Sequence, residues 1–254
     1  MPYGSAFAAW YDLLTGEIDY PARANYFDTM IRQRYPVKAD TILLDLACGT
    51  GKLSVEFSRL GYDVIGVDAS EDMLCEAMAK GYGGEKPVLY LCQGMDSLDL
   101  YGTVDVTVCA LDSLNHMTDP AQVRAALGKV GLFTSPGGLF IFDVNTEYKH
   151  REILGNQTFV YDLDDVYCVW QNSTDSSLLT EISLDFFVRE GSRYRREEEQ
   201  FAERAYSFAV LTGWLEEAGF ELLDIYAGDT FSPVADTTQR AVFVARKKEN
   251  QSKE

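Results

Sequence analysis

The chain has 254 residues, 46% of them hydrophobic and 24% charged, which suits one large α/β domain or a domain carrying a sizeable insertion. Forty acidic against 22 basic residues leave a net charge of −18, a balance that repels phosphate backbones and anionic membranes and speaks against a nucleic-acid partner. The apolar runs are strand-sized, well short of the roughly 20 residues of a membrane span, and Met1–Trp10 shows no basic segment leading into an apolar one, so a soluble, cytoplasmic protein is expected.

Two short helices are predicted first, over 4–15 and 20–35. Tyr3, Phe7, Trp10, Tyr11 and Leu14 recur at helical spacing, as do Tyr26, Phe27, Met30 and Ile31. Strands and helices then alternate. Thr41–Ala47 reads as a buried strand, followed by a glycine turn and a helix to Leu60. Asp63–Val67 is the second strand, and Ser70 caps the helix after it. Pro87–Cys92 and Val104–Leu111 are the third and fourth strands. Asp119 caps a helix with Pro120 at its first position, Pro136-Gly137-Gly138 reads as a turn, and Leu139–Val144 is the fifth strand. Such alternation implies right-handed crossovers and a parallel sheet.

The texture changes near residue 150. Gln157–Val160, Val166–Asn172, Leu178–Arg189 and Arg193–Tyr206 read as consecutive antiparallel strands, with a hairpin at Glu190-Gly191-Ser192. A helix over Ser207–Ala218 and two strands, Phe220–Tyr226 and Gln239–Arg246, resume the α/β pattern. The expected organisation is therefore a ligand-binding domain of residues 1–150 and 205–247, an antiparallel insert or cap over 151–204, and a polar tail, 248–254.

The chemistry lies after the first strand, where Gly49 and Gly51 let the backbone approach a ligand and the next helix offers free N–H groups. Asp68 ends the second strand 17 residues past Gly51, close to the spacing of a carboxylate that grips ribose hydroxyls. Its two oxygens suit a cis-diol. Five cysteines contain no C-x-x-C pair, so reduced thiols are expected. Two histidines exclude a histidine-rich metal centre, and no metal is expected.

Leu44-Asp45-Leu46-Ala47-Cys48-Gly49-Thr50-Gly51 resembles motif I of the class I S-adenosylmethionine (SAM)-dependent methyltransferases, with Ala47 in place of a glycine. Gln93-Gly94-Met95-Asp96, the loop Ala110–His116 and Pro136–Asp143 extend the resemblance, and Tyr11-Asp12, Phe142–Thr146, Tyr194–Arg196 and Glu203–Tyr206 are similar to small bacterial members of unassigned substrate. It implies a Rossmann-like doubly wound seven-stranded sheet of order 3-2-1-4-5-7-6, strand seven antiparallel, with an antiparallel β insert after strand five. It implies SAM as cofactor, with Asp45 near the methionyl amine, Met95 and Asp96 at adenine, and the loop after strand four lining the methyl-transfer face. The expected cofactor set is Tyr11, Asp45, Ala47, Gly49, Gly51, Asp68, Ala69, Met73, Met95, Asp96 and Leu111, with residues 1–38 as a helical lid.

Methyl transfer needs alignment more than acid–base chemistry. His116, Asp112 and Asn115 are the catalytic candidates, and Asn145, Arg196 and Tyr206 the candidates for holding a small-molecule acceptor. Two other readings stay open. One is a nicotinamide-dependent oxidoreductase, which Asp45 and Ser54 at the third glycine's position disfavour. The other is a non-catalytic SAM-binding protein with the insert as a homodimer interface.

Overall fold

The computed structural model describes residues 11–12, 15–80 and 86–249. Most of the helix expected over 4–15 lies outside them. Helix α1 (Tyr20–Arg34) starts where Asp19 accepts the Ala22 N–H and Pro21 fills a first-turn position that needs no donor. The apolar strand β1 (Ile42–Leu46) leads through the glycine turn into α2 (Lys52–Arg59), then β2 (Asp63–Asp68) and α3 (Glu71–Ala79). Ser70 caps α3 through the Met73 amide. Next come β3 (Leu89–Cys92), β4 (Val104–Cys109), α4 (Pro120–Phe133, capped by Asp119) and β5 (Thr134–Asn145).

After β5 a π-helical turn, Lys149–Leu154, leads into four strands: β6 (Thr158–Asp162), β7 (Val166–Thr174), β8 (Leu179–Glu190) and β9 (Arg193–Arg204). Helix α5 (Phe208–Glu217), β10 (Phe220–Ala227) and β11 (Arg240–Lys247) complete the chain.

The main sheet has the order β10-β11-β5-β4-β1-β2-β3, and β11 runs antiparallel to both β5 and β10. Strands β6 to β9 form a separate antiparallel sheet in sequence order. The expected topology is thus the observed one. Pro136-Gly137-Gly138 differs from its reading as a plain turn, because it lies inside β5. The pairing jumps from Val104↔Thr134 to Val106↔Leu139, so the three residues are looped out as a wide bulge. Gly138 fits there because a Cβ would stand 2.6 Å from the Asp105 carbonyl oxygen.

Side-chain alternation builds a core on each face of the main sheet. Leu44, Leu46, Phe140, Phe142 and Phe243 meet α4 and α5 on one face; Leu43, Val64, Val108, Ile141 and Val244 meet α1 and α2 on the other. Phe142 stacks on Phe243 at 4.8 Å and is fully buried. Burying one such ring contributes about 2–3 kcal/mol. The insert has its own core of Val166, Cys168, Ile182, Leu184 and Phe186, and that face rests on Met73 of α3 and on Tyr11. Among the described residues, no helix is long and apolar enough to cross a membrane.

Candidate active site

One cavity of about 450 Å³ lies at the C-terminal ends of the parallel strands, where open α/β sheets bind ligands. Tyr11, Ala47, Gly49, Asp68, Ala69, Met73, Met95, Asp96 and Leu111 line it, as do Asp112, His116 and Asn145. A smaller adjoining cleft shares Tyr11, Ala47, Gly49 and Leu111 and is floored by Asp45.

Asp68 accepts the Gly49 N–H and the Ser70 N–H, both at 2.8 Å, one on each oxygen. Each oxygen keeps a lone pair for a ligand. Burial raises its pKa, while the amides of Ser70 and Gly49 pull the other way. Asp45 is deeply buried and takes the Ser54 hydroxyl at 2.5 Å. Burial lifts its carboxyl to about 7, with Asp68 adding to the rise.

Of the four non-glycine residues with positive φ among the described residues, three border this space: Ala47 (59°), Leu111 (60°) and Asp112 (54°). Such backbone persists only where its surroundings fix it. Here Asp143 does so, accepting the Leu111 amide at 2.9 Å and the Asp112 amide at 2.7 Å. Asp143 itself is fully buried between Arg23, 2.9 Å away, and Arg240. Arg240 also pairs with Asp112 at 2.6 Å, and Asn145 Nδ2 donates to the other Asp112 oxygen at 2.9 Å. Burial opposes charge on Asp112, but Arg240, Lys149 and His116 outweigh it and hold the carboxyl well below its ordinary range.

Not every expected residue reaches the cavity. Asn115 is buried beneath it, donating to the Asn145 and Arg204 carbonyls and accepting the Asn145 amide, so it braces β5 and the insert. Gly51 lies under the turn. A Cβ there would overlap the Tyr90 hydroxyl and stand 2.8 Å from Ala77 Cβ, so its role is packing. Tyr206 packs on Trp214 and donates to the Met117 carbonyl at 2.5 Å, one layer behind the lining. Arg196 is exposed and pairs with Asp185 and Glu198, each at 2.7 Å. Strand alternation explains the correction: Phe201 and Glu203 of β9 face the cavity, and an even-numbered residue such as Arg196 faces away.

Sequence reasoning passed over Lys149, Leu154, Trp170, Phe201, Glu203 and Arg240, which close the cavity's far end. Glu203 is 4% exposed, its Oε1 3.7 Å from His116 Nε2 and its Oε2 3.8 Å from His150 Nε2. The pairing of Phe201 and Glu203 on one face of β9 was the available signal. Asp112, His116 and Glu203 bring ligating atoms within 4.8 Å of one another. Within this cluster Asp112 is ion-paired to Arg240 through one oxygen and accepts Asn145 Nδ2 on the other.

Residues 43–138 match the model of a methyltransferase domain family, Methyltransf_25. A protein of Geobacillus sp. (strain WCH70) named as a methyltransferase is 33% identical over 251 residues, covering 97% of this chain and all of the relative. YqeM of Bacillus subtilis (strain 168), also named as a methyltransferase, is 30% identical over 95% of this chain and 96% of its own length. The crystal structure of a SAM-dependent methyltransferase from Clostridium acetobutylicum ATCC 824 superposes with a TM-score of 0.85 at 31% identity, covering 96% of this chain and 98% of that one. The chain belongs to the class I SAM-dependent methyltransferases.

Proposed function

We propose that this enzyme transfers the methyl group of SAM to a small-molecule acceptor held in the half of the cavity roofed by the β insert. The observation that carries the reading is the division of one cavity into two chemistries. Asp68, Gly49, Met73, Met95 and Asp96 line the cavity, and so do Lys149, Trp170, Phe201 and Glu203. The first set fits an adenosine. A carboxylate with spare lone pairs suits the ribose diol, methionine side chains suit the faces of adenine, and Asp96 suits its amino group. Asp45 lies in the adjoining cleft, where an acid suits the methionyl ammonium.

The chemistry SAM supplies when bound is an electrophilic methyl group on a sulfonium, already a good leaving group. The chain's own residues bind, orient and exclude water. Tyr11, Thr15 and Ile18 line the cavity, as do Trp170 and Phe201. In our reading the insert, 151–204, serves as the cap and the segment before α1 as the lid, whereas α1 itself packs on the sheet and corrects the expectation of a lid over all of 1–38. The acidic balance of the chain, −18, supports a small acceptor over a nucleic acid. A cytoplasmic setting fits the free cysteines.

Titration calorimetry with SAM tests the site. Asp68→Ala should weaken binding by about 1–3 kcal/mol through lost charge-assisted hydrogen bonds. An unchanged affinity would remove the ribose assignment. A labelled-methyl screen over amines, phenols, thiols and carboxylates tests the transfer.

A further inference from the structure

Glu203 is the group in the acceptor half whose charge is least compensated. Its carboxylate is buried, and among the described residues the side-chain donor it receives is Asn145 Nδ2, at a long 3.3 Å. His116 and His150 stand 3.7 and 3.8 Å away, beyond hydrogen-bond length. Of the neighbouring charges, His116 and Lys149 favour the Glu203 carboxylate without a hydrogen bond to it. Arg240 serves Asp112 and Asp143, while Lys149 Nζ donates to Asn145 Oδ1 at 2.8 Å beside Asp112. A buried carboxylate with no cation in hydrogen-bond contact is stabilised by a ligand that brings one.

The walls point the same way. Trp170 and Phe201 stand edge-to-face at 6.5 Å, and Phe201 lies 5.4 Å from the His116 ring. Both aromatic side chains line the cavity next to Glu203. Aromatic faces attract cations, and repel nothing a neutral alcohol would offer.

We propose that the acceptor is a small primary or secondary amine, bound as its ammonium ion between the Glu203 carboxylate and the Trp170 and Phe201 rings, with Glu203 taking the ammonium proton. The inference rests on the methyltransferase reading above and names its substrate class. In the proton step an N–H bond breaks, an O–H bond forms on Glu203, and the electron pair stays on nitrogen. Burial raises the Glu203 carboxyl, and Asp112 adds to the rise while His116 opposes it, so the acid is a better proton acceptor than an exposed glutamate. A carboxylate acceptor would meet the charges of Glu203 and Asp112. An alcohol would leave Glu203 uncompensated.

The test uses the full chain loaded with S-adenosylhomocysteine, so that binding is read without turnover. Benzylamine, benzyl alcohol and benzoate are titrated in turn by calorimetry. At neutral pH the amine should bind at least about 10-fold tighter than the alcohol, and benzoate weakest. Glu203→Gln should reduce the amine to the alcohol's affinity while S-adenosylhomocysteine binding stays within about twofold. Trp170→Leu should weaken the amine by about 3- to 10-fold and the alcohol less. Equal binding of amine and alcohol, or an amine preference that survives Glu203→Gln, overturns the proposal. Should Glu203→Gln fail to fold, the wild-type comparison and Trp170→Leu decide alone. Failure of the wild-type chain to bind S-adenosylhomocysteine would instead strike the methyltransferase reading itself.

Discussion

Asp12 Oδ1 accepts the Thr50 hydroxyl at 2.6 Å, tying the N-terminal segment to the middle of the glycine turn. Lys80 pairs with the other Asp12 oxygen at 2.9 Å, and Lys52 stands 3.4 Å from Oδ1. Burial alone would raise the Asp12 carboxyl, but the Thr50 and Lys80 hydrogen bonds and the two lysine charges bring it below its ordinary value. Tyr11, beside it in sequence, lines the cavity. The latch therefore acts on the wall of the cavity proposed to hold SAM. Asp12→Ala should weaken SAM binding by about 1–2 kcal/mol, mainly through faster release, with little change in global stability. Stopped-flow displacement kinetics check it. An unchanged off-rate would show that the latch does not gate the site.

Asp143 sets a second dependence, this time on the fold. It lies fully buried between Arg23 and Arg240 and holds two backbone amides. Asp143→Asn removes the one anion that these two arginines share in the interior. Breaking a buried pair in this way costs about 3–5 kcal/mol. Urea unfolding should show that loss. SAM affinity should fall as well, because Leu111 and Asp112 lose what holds their left-handed backbone. A stability loss under about 1 kcal/mol would mean that the arginines find other partners.

His150 makes stability depend on pH. Its ring is fully buried, with Nδ1 2.8 Å from the Thr180 hydroxyl. Burial pushes its pKa down from 6.5 to about 4, with Lys149 and His116 acting the same way and Asp112 opposing. Between those values the unfolded chain binds the proton and the folded chain does not, so stability falls as pH drops through that window. The effect is on the order of 3 kcal/mol if the full shift is realised. Glu203, whose carboxyl is raised, contributes with the opposite sign at acid pH. The comparison that isolates His150 is wild type against His150→Asn, by urea midpoints from about pH 4 to 8. The variant should show a flatter acid limb; parallel curves would assign the slope to other groups.

The main sheet and the cavity lining from the ends of its first strands were legible because their signals are local. Strand, glycine turn, helix and terminal acid fall within Ile42–Asp68, and each strand end of the sheet points to one edge. The acceptor half was not. Lys149, Trp170, Glu203 and Arg240 come from four separate elements, and their meeting depends on how the insert sheet seats on the domain. Glu203 follows a glutamate-rich run, Glu197–Glu199, that reads as solvated surface. Arg196 was chosen for its charge, yet the pleat turns it outward. The bracing role of Asp143 was not legible because its partners Arg23 and Arg240 are 120 and 97 residues away.

The two turn glycines separate folding from binding. Both have positive φ, 54° at Gly49 and 73° at Gly51. A Cβ at Gly51 meets Tyr90 and Ala77, whereas a Cβ at Gly49 meets no atom within 4 Å. Each alanine substitution carries a left-handed backbone cost of about 1–2 kcal/mol. Gly51→Ala adds overpacking of about 1–3 kcal/mol. For a chain of this size, about 1 kcal/mol shifts the midpoint by roughly 2–4 °C. Gly51→Ala should therefore lower the melting temperature by several degrees more than Gly49→Ala. Gly49 lines the cavity, so its alanine variant should lose more SAM affinity than the melting shift explains. Thermal scans with and without SAM measure both quantities on each variant. If Gly49→Ala gains as much from SAM as wild type does, the cofactor does not approach the space a Cβ at residue 49 would fill.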